Sequence, residues 1–350
     1  MAGKNGGVMA GKSGSVTAGQ RGDGRSAAVG DESPAFFSPA DLTPPAPLSG
    51  AERGEGRADG LVRVAVRKAY KMYVGGAFIR SESGRCTQMA ETMGGASMEN
   101  FPRASRKDAR DAVGIARAAW DGWSARAAFN RGQILYRVAE MVEARSAELA
   151  RSLVQGGATA AQAAAEVAAT VDRAVVYAGW TDKYQSLFAS LNPVAGPHFN
   201  FTVPESMGVV AIVAPARPSL LGLLGAVLPV IAAGNTCVVI AGEVDPRTAL
   251  VLGEALATSD LPGGVVNILT GQAAELLPHL AKHMEVAALD LHGVAAAVAK
   301  AAEEAAVGNV KRVRVRALTE GDWFDGEACG SPRWIERFVE MKTIWHPSGT

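Results

Sequence analysis

ESMGVVAIVAPARPSLLGLLGAVLPVIAAGNTCVVIAGEVDP, from Glu205 to Pro246, sets the architecture of this 350-residue chain. Gly208 to Val213 is apolar without alternation, as expected of a strand covered on both faces. Leu220 to Ala233 is apolar and long enough for a buried helix, which Pro229 is expected to kink and Gly234 to end. Thr236 to Ile240 reads as a second strand. Asp245 at the N-cap and Pro246 in the first helical position then open a helix expected to run to Thr258.

The same alternation continues toward the C-terminus. LPGGVVNILTG supplies a turn and a strand over Val265–Leu269, AELLPHLAKH a helix, and VAALDL a strand. VAAAVAKAAEEAAV is a helix ended by Gly308, and VKRVRVRAL a last strand. Strands separated by crossover helices predict a parallel sheet covered on both faces, an α/β domain of the Rossmann-like kind.

Toward the N-terminus the pattern turns helical. Ser105 is placed to cap SRKDARDAVGIARAAWDGWSA, with Asp108 in its first turn and Val113, Ala116, Trp120 and Trp123 on one face. RGQILYRVAEMVEARSAELARSL carries Ile134, Leu135, Val138, Met141, Val142 and Leu149 at helical spacing. A third helix is expected from Thr159 to about Thr170, and a fourth from VDRAVVYAGWTDKYQSLF. Further out, YKMYVGGAFIRSESG reads as a hairpin turning at Gly75-Gly76, and LVRVAV from Leu61 as a half-buried strand. Residues 1–60, rich in Gly, Ser, Ala and Pro, lack helical or strand periodicity and are expected to be a disordered extension. The organisation expected is 1–60 extension, 61–104 hairpin arm, 105–318 helical region plus Rossmann-like domain, and 319–350 C-terminal tail.

Lys plus Arg equals Asp plus Glu, so net charge offers no argument for a nucleic-acid partner. Cys86, Cys237 and Cys329 are too scattered for a disulfide framework or a zinc site, and a reducing, cytoplasmic setting is expected. The apolar run from Leu220 to Gly234 is too short for a membrane span and is broken by Pro229. No GxGxxG follows any of the strands.

Taken in order, Gly208, Pro215, the AGNT of 233–236, Glu243, Asp245-Pro246, LPGGVVN, VKRV and VEMKTIW resemble the aldehyde dehydrogenase family over residues 62–318 and 333–350. The resemblance extends to shortened aldehyde dehydrogenase-like proteins that accompany, or are fused behind, a full-length enzyme. It implies the family's Rossmann-like cofactor domain, preceded by helices and a hairpin and followed by an oligomerisation strand. It implies NAD or NADP as cofactor type, with Pro215, Glu243 and Gly293 as the contact candidates. Glu243 matches the family's ribose-binding Glu, although a lone Glu at the head of a helical connection is more often a capping or solvated group. Gly293 matches the Gly beneath the pyrophosphate and is also an ordinary turn residue.

Chemistry is missing where the family has it. The Trp-Asn pair, whose Asn serves the oxyanion, is Ala216-Arg217 here, the ribose Lys is Ile240, and Val294 stands for Ser. Arg316 occupies the general-base Glu position, and a guanidinium accepts no proton at working pH. Cys329 lacks the flanking pattern, base and oxyanion Asn of the nucleophile and is expected to be an unreactive loop cysteine. Cys237 is expected in the core, and His292 at a strand end has no evident partner. No catalytic residue is therefore expected. The reading is a non-catalytic subunit that pairs with a full-length aldehyde dehydrogenase, or with itself, through Val62–Phe78 and Phe338–Trp345. The alternatives are an NAD(P)-dependent oxidoreductase acting on an aldehyde, or a nucleotide-binding regulatory module in which Arg217 meets a phosphate.

Overall fold

The computed structural model describes residues 68–90 and 98–348. The extension over 1–60 and the strand expected at 61–66, which includes Val62, lie outside them. The hairpin is formed by β1 (Met72–Val74) and β2 (Ala77–Ile79), turning through Gly75 at φ 65° and Gly76 at φ 79°. That left-handed pair is what a tight two-residue turn requires. β3 (Cys86–Ala90) and β4 (Met98–Pro102) follow as an antiparallel pair.

Helix α1 (Arg106–Ser124) starts at a capping box in which Ser105 and Asp108 satisfy each other's backbone N–H groups. Its buried face carries Val113, Ala116 and Trp123, while Trp120 is half-buried. The long second helix divides into α2 (Ala128–Ala144) and α3 (Ser146–Gln155). Arg145 leaves the helical region, and its carbonyl accepts from Glu148 and Leu149 to start the next helix. The third and fourth helices expected from sequence are instead one, α4 (Ala160–Trp180), capped by Thr159. No Gly or Pro separates Thr170 from Val171, so nothing interrupts it. The short α5 (Tyr184–Phe188) leads to β5 (Ser190–Asn192) and β6 (His198–Ser206).

The βα alternation then runs as expected, with β7 (Val209–Val213), α6 (Leu221–Ala232), β8 (Thr236–Ile240), α7 (Arg247–Leu256) and β9 (Val266–Leu269). It continues with α8 (Ala273–Lys282), β10 (Val286–His292), α9 (Ala296–Ala306) and β11 (Arg312–Arg316). Pro246 rather than Asp245 is the N-cap of α7, which starts one position later than expected, though Asp245 Oδ1 still accepts from the Arg247 N–H at 2.9 Å. Strands β7 to β11 are mutually parallel, in the order β11-β10-β7-β8-β9. Val209, Ala211 and Val213 pack toward α1, α8 and α9, while Val210 and Ile212 pack toward α2, α4 and α6. Both faces are covered there, which is why β7 and β8 read as nearly continuous apolar runs.

Two corrections concern the edges. The hairpin is not a separate arm: β1 pairs antiparallel with β9, and β1-β2 complete a seven-stranded sheet. Met72, Tyr73 and Val74 are all buried, and burying them requires this docking. The tail after β11 is more than a linker. Residues 319–338 fold as a small cap containing α10 (Gly326–Cys329) and α11 (Arg333–Glu336), before β12 (Val339–Pro347). β12 pairs along its whole length with β6 in the three-stranded sheet β12-β6-β5. Asn235 joins this sheet to the main one. Its Oδ1 accepts from the N–H groups of Met207 and Gly208 at 2.7 and 3.0 Å, and its Nδ2 donates to Phe338 O at 2.7 Å.

Candidate functional site

Strand order reverses between β7 and β10, because the chain grows outward from β7 through β8 and β9 and then returns to its other side. Loops leave the carboxyl ends of these two strands in opposite directions and open a crevice, the usual ligand position in such sheets. A cavity of about 310 Å³ lies there, lined at the strand ends by Val213, Ala241, His292 and Gly293, with Glu243 and Ala273 at one side. The structure thus brings Glu243 and Gly293 to one cleft. Pro215 packs behind it: a Cβ on Gly222 would come within 2.3 Å of Pro215 Cγ, so the proline ring rests directly on α6.

The polar groups of this cleft are largely spoken for. Glu243 Oε1 accepts from the Ala273 N–H at 2.6 Å and so caps α8. Gly293 sits at φ 64° with open space where a Cβ would be, and its N–H donates to Arg316 O at 3.2 Å. Ile240 is fully buried and offers no donor. Val294 brings no hydroxyl, although the start of α9 has no side-chain cap. The small apolar walls suit an adenosine-sized group, while the ribose donor and the Gly293 N–H that a pyrophosphate would use are absent or engaged.

Arg217, in the loop after β7, donates from Nη2 to Gly156 O at 2.8 Å beside a second cavity of about 400 Å³. Glu166 borders that cavity and accepts from the Leu220 and Leu221 N–H groups at 2.7 and 3.1 Å, at the start of α6. Burial pushes its carboxyl above the usual range, against those two hydrogen bonds.

Arg316, in the position where the resemblance puts a general base, is bound into the protein. Its Nε pairs with Asp290 Oδ1 at 2.9 Å, and its guanidinium lies 3.8 Å above the Trp334 ring. His292, expected to be solitary, is buried and pairs through Nε2 with Asp290 Oδ2 at 2.9 Å. Burial alone would raise the fully enclosed Asp290 carboxyl, but His292 and Arg316 outweigh it and hold it below the usual range. The cap closes over this network. Arg173 of α4 donates to the Trp323 and Asp325 carbonyls, Tyr177 to Cys329 O, and Trp180 to Gly330 O.

Cys329 lies in α10 within the cap, 2% exposed, with Sγ directed at Asp322 O, and burial raises its thiol. Cys237 is enclosed in β8, where burial also raises its thiol. The sequence reading missed the Asp290 network. Its signal was a lone carboxylate in the otherwise apolar VAALDL, which demands a buried partner. Among the described residues no cluster of His, Cys, Asp or Glu is placed to hold a metal, and no helix is long and apolar enough to cross a membrane.

A parallel α/β sheet with its crevice at the strand-order switch, flanked by a hairpin edge and a separate three-stranded sheet, defines a dinucleotide-type domain. The aldehyde dehydrogenase family model matches residues 78–317, and the chain belongs to that family. It is 29% identical over 256 residues to mitochondrial 10-formyltetrahydrofolate dehydrogenase of Mus musculus, covering 71% of this chain and 28% of that protein. The cytosolic 10-formyltetrahydrofolate dehydrogenase of Xenopus tropicalis is 30% identical with the same coverage. Among solved structures, PnpE from Pseudomonas sp. WBC-3 superposes with a TM-score of 0.67 at 27% identity, covering 71% of this chain and 50% of that one. PnpE has also been solved in complex with nicotinamide adenine dinucleotide. A putative aldehyde dehydrogenase from Burkholderia cenocepacia gives 0.67 at 28% identity, with the same shares covered. The chain therefore spans half of the solved relatives and 28% of the curated ones. The fold is of a cofactor-binding type.

Proposed function

We propose that this chain is a non-catalytic aldehyde dehydrogenase-like subunit that assembles with a full-length NAD(P)-dependent aldehyde dehydrogenase. The observation that carries this reading is Arg316, paired with Asp290 and stacked on Trp334 beneath the cap. A permanently protonated side chain held in this way cannot serve as a general base. Cys237 and Cys329 are buried with raised thiols, which opposes nucleophilic attack by either. The crevice does not fit NAD(P) well, since Ile240 offers no donor, Val294 no hydroxyl, and the Gly293 N–H is engaged by Arg316 O.

The sheet β12-β6-β5 supports the assembly. It exposes Met341 and Trp345 on one face and Leu191 and Phe199 on the other, each at 49–66%, on an open-edged sheet. At the other end β2 is the edge of the main sheet, with Phe78 37% exposed. Gentle purification of the tagged chain from its native cells, followed by mass spectrometry, tests the proposal. Recovery of a full-length aldehyde dehydrogenase in fixed ratio is expected. A well-behaved monomer, or NAD(P)-dependent aldehyde turnover that disappears in Cys329→Ser, would overturn it.

One observation favours a second reading, nucleotide binding without chemistry: the crevice with its small apolar walls and the uncapped start of α9. Calorimetric titration with NAD and with NADP decides it, and flat isotherms for both would eliminate it.

A further inference from the structure

Away from the crevice, a groove of about 590 Å³ runs between the edge strand β11, the helices α5 and α11, and the start of β12. Its polar lining is four arginines, Arg312, Arg314, Arg333 and Arg337, against one carboxylate, Glu336. Leu187, Phe188, Val339 and Met341 supply an apolar floor. The whole chain has zero formal net charge, so this concentration of one sign is local.

Counter-charges within the fold account for only part of it. Arg312 is tied to Glu340 at 3.0 Å and to the Arg337 and Val339 carbonyls, and Arg333 meets Glu336 at 3.5 Å. Arg314 and the Arg337 side chain make no hydrogen bond or ion pair among the described residues. The Arg314 Nε is buried without a partner. Alternation along β11 places Arg312, Arg314 and Arg316 on one face, and Arg316 is already taken by Asp290. Burial first, and then the charges of Arg337, Arg312 and Arg316, push the Arg314 guanidinium below its usual range. Unpaired guanidiniums held together repel, and an anion relieves both the repulsion and the unmade hydrogen bonds.

We propose that this groove binds a small organic phosphomonoester, with Arg314 and Arg337 on the phosphate and the apolar substituent on Leu187 and Met341. The planar guanidinium fork matches phosphate oxygens in pairs, and the volume is that of a small-molecule site. The crevice residues take no part, while Val339 and Met341 belong to the same strand β12 that the proposed assembly uses.

Isothermal titration of the full chain with phenyl phosphate tests this, with phenol and inorganic phosphate as the two halves of the probe. Phenyl phosphate is expected to bind at least about tenfold more tightly than either half, and about tenfold or more weaker in the double variant Arg314→Ala/Arg337→Ala. The pair Arg314→Lys/Arg337→Lys keeps the charge but loses the fork, and an intermediate affinity is expected. Without ligand, the alanine pair is expected to unfold at the same or a higher urea concentration, since it removes like-charge crowding. Absence of phenyl phosphate binding, or binding equally tight in a folded alanine pair, would overturn the assignment.

Discussion

The two ends of the strand-order switch are built differently. On the Glu243 side, the crevice is walled by Ala, Val and Gly, and Glu243 and the Gly293 N–H satisfy neighbouring backbone. On the far side, Asp290, His292 and Arg316 interlock with Trp323 and Trp334 of residues 319–338. The first region keeps the shape of a ligand site. The second uses charge and aromatic rings where the family resemblance leads one to expect chemistry. A scaffold can therefore hold a nucleotide-type crevice while the adjoining positions are given over to stability.

The sharpest way to break this comparison is Asp290→Ala. It leaves Arg316 and His292 enclosed without their carboxylate, and a loss of about 3–5 kcal/mol in urea unfolding is expected. The Asp290 carboxyl titrates below its ordinary 3.8, so its contribution is present above that pH and lost as pH falls through the lower folded value. The deficit of the variant should accordingly shrink in acid; a deficit independent of pH would mean the network is held by packing alone.

On the crevice side the effects should be smaller. Gly293→Ala puts a side chain at φ 64° with no clash, so only the left-handed backbone penalty of about 1–2 kcal/mol is expected in the same measurement. Glu243→Ala removes the α8 cap and should cost about 1 kcal/mol, while Glu243→Gln keeps an acceptor and should cost less. Equal losses in the two Glu243 variants would point to a role for its charge, and the crevice would then be more than a preserved shape.

Lys311, just before β11, gives the mildest test. Its Nζ donates to the His283 and Val286 carbonyls with no carboxylate beside it, and burial lowers its pKa to about 8. The folded state therefore sheds this proton before the unfolded state does. Its penalty is full below pH 8 and is relieved as pH rises from about 8 toward 10.5. Lys311→Met should remove that alkaline rise in stability, seen as a flatter unfolding midpoint across that range.

The parallel sheet was legible because β7 and β8 are nearly wholly apolar on both faces, a pattern that a doubly covered strand needs. The hairpin turn was legible from Gly75-Gly76, but its docking on β9 was not: Tyr73 meets Ile268 across nearly 200 residues. The merging of two expected helices into α4 shows that polar Thr170 alone does not stop a helix once its hydroxyl finds the Glu166 carbonyl. Glu243 and Gly293 could be placed at the crevice because each follows a strand end. The cap could not be foreseen, since it rests on contacts such as Arg173 with Trp323 and Tyr177 with Cys329 that local pattern does not encode.

Asn235 carries a consequence of another kind. One amide group holds the start of β7 through its oxygen and the lead-in to β12 through its nitrogen. A pull on the exposed sheet, such as a neighbouring molecule would exert on β12, reaches the first residues of β7 through this side chain as well as through the Met207-Gly208 link from β6, at the end of the sheet opposite the crevice. Load applied at the outer surface and strain at the first residues of the central strand are thereby mechanically coupled.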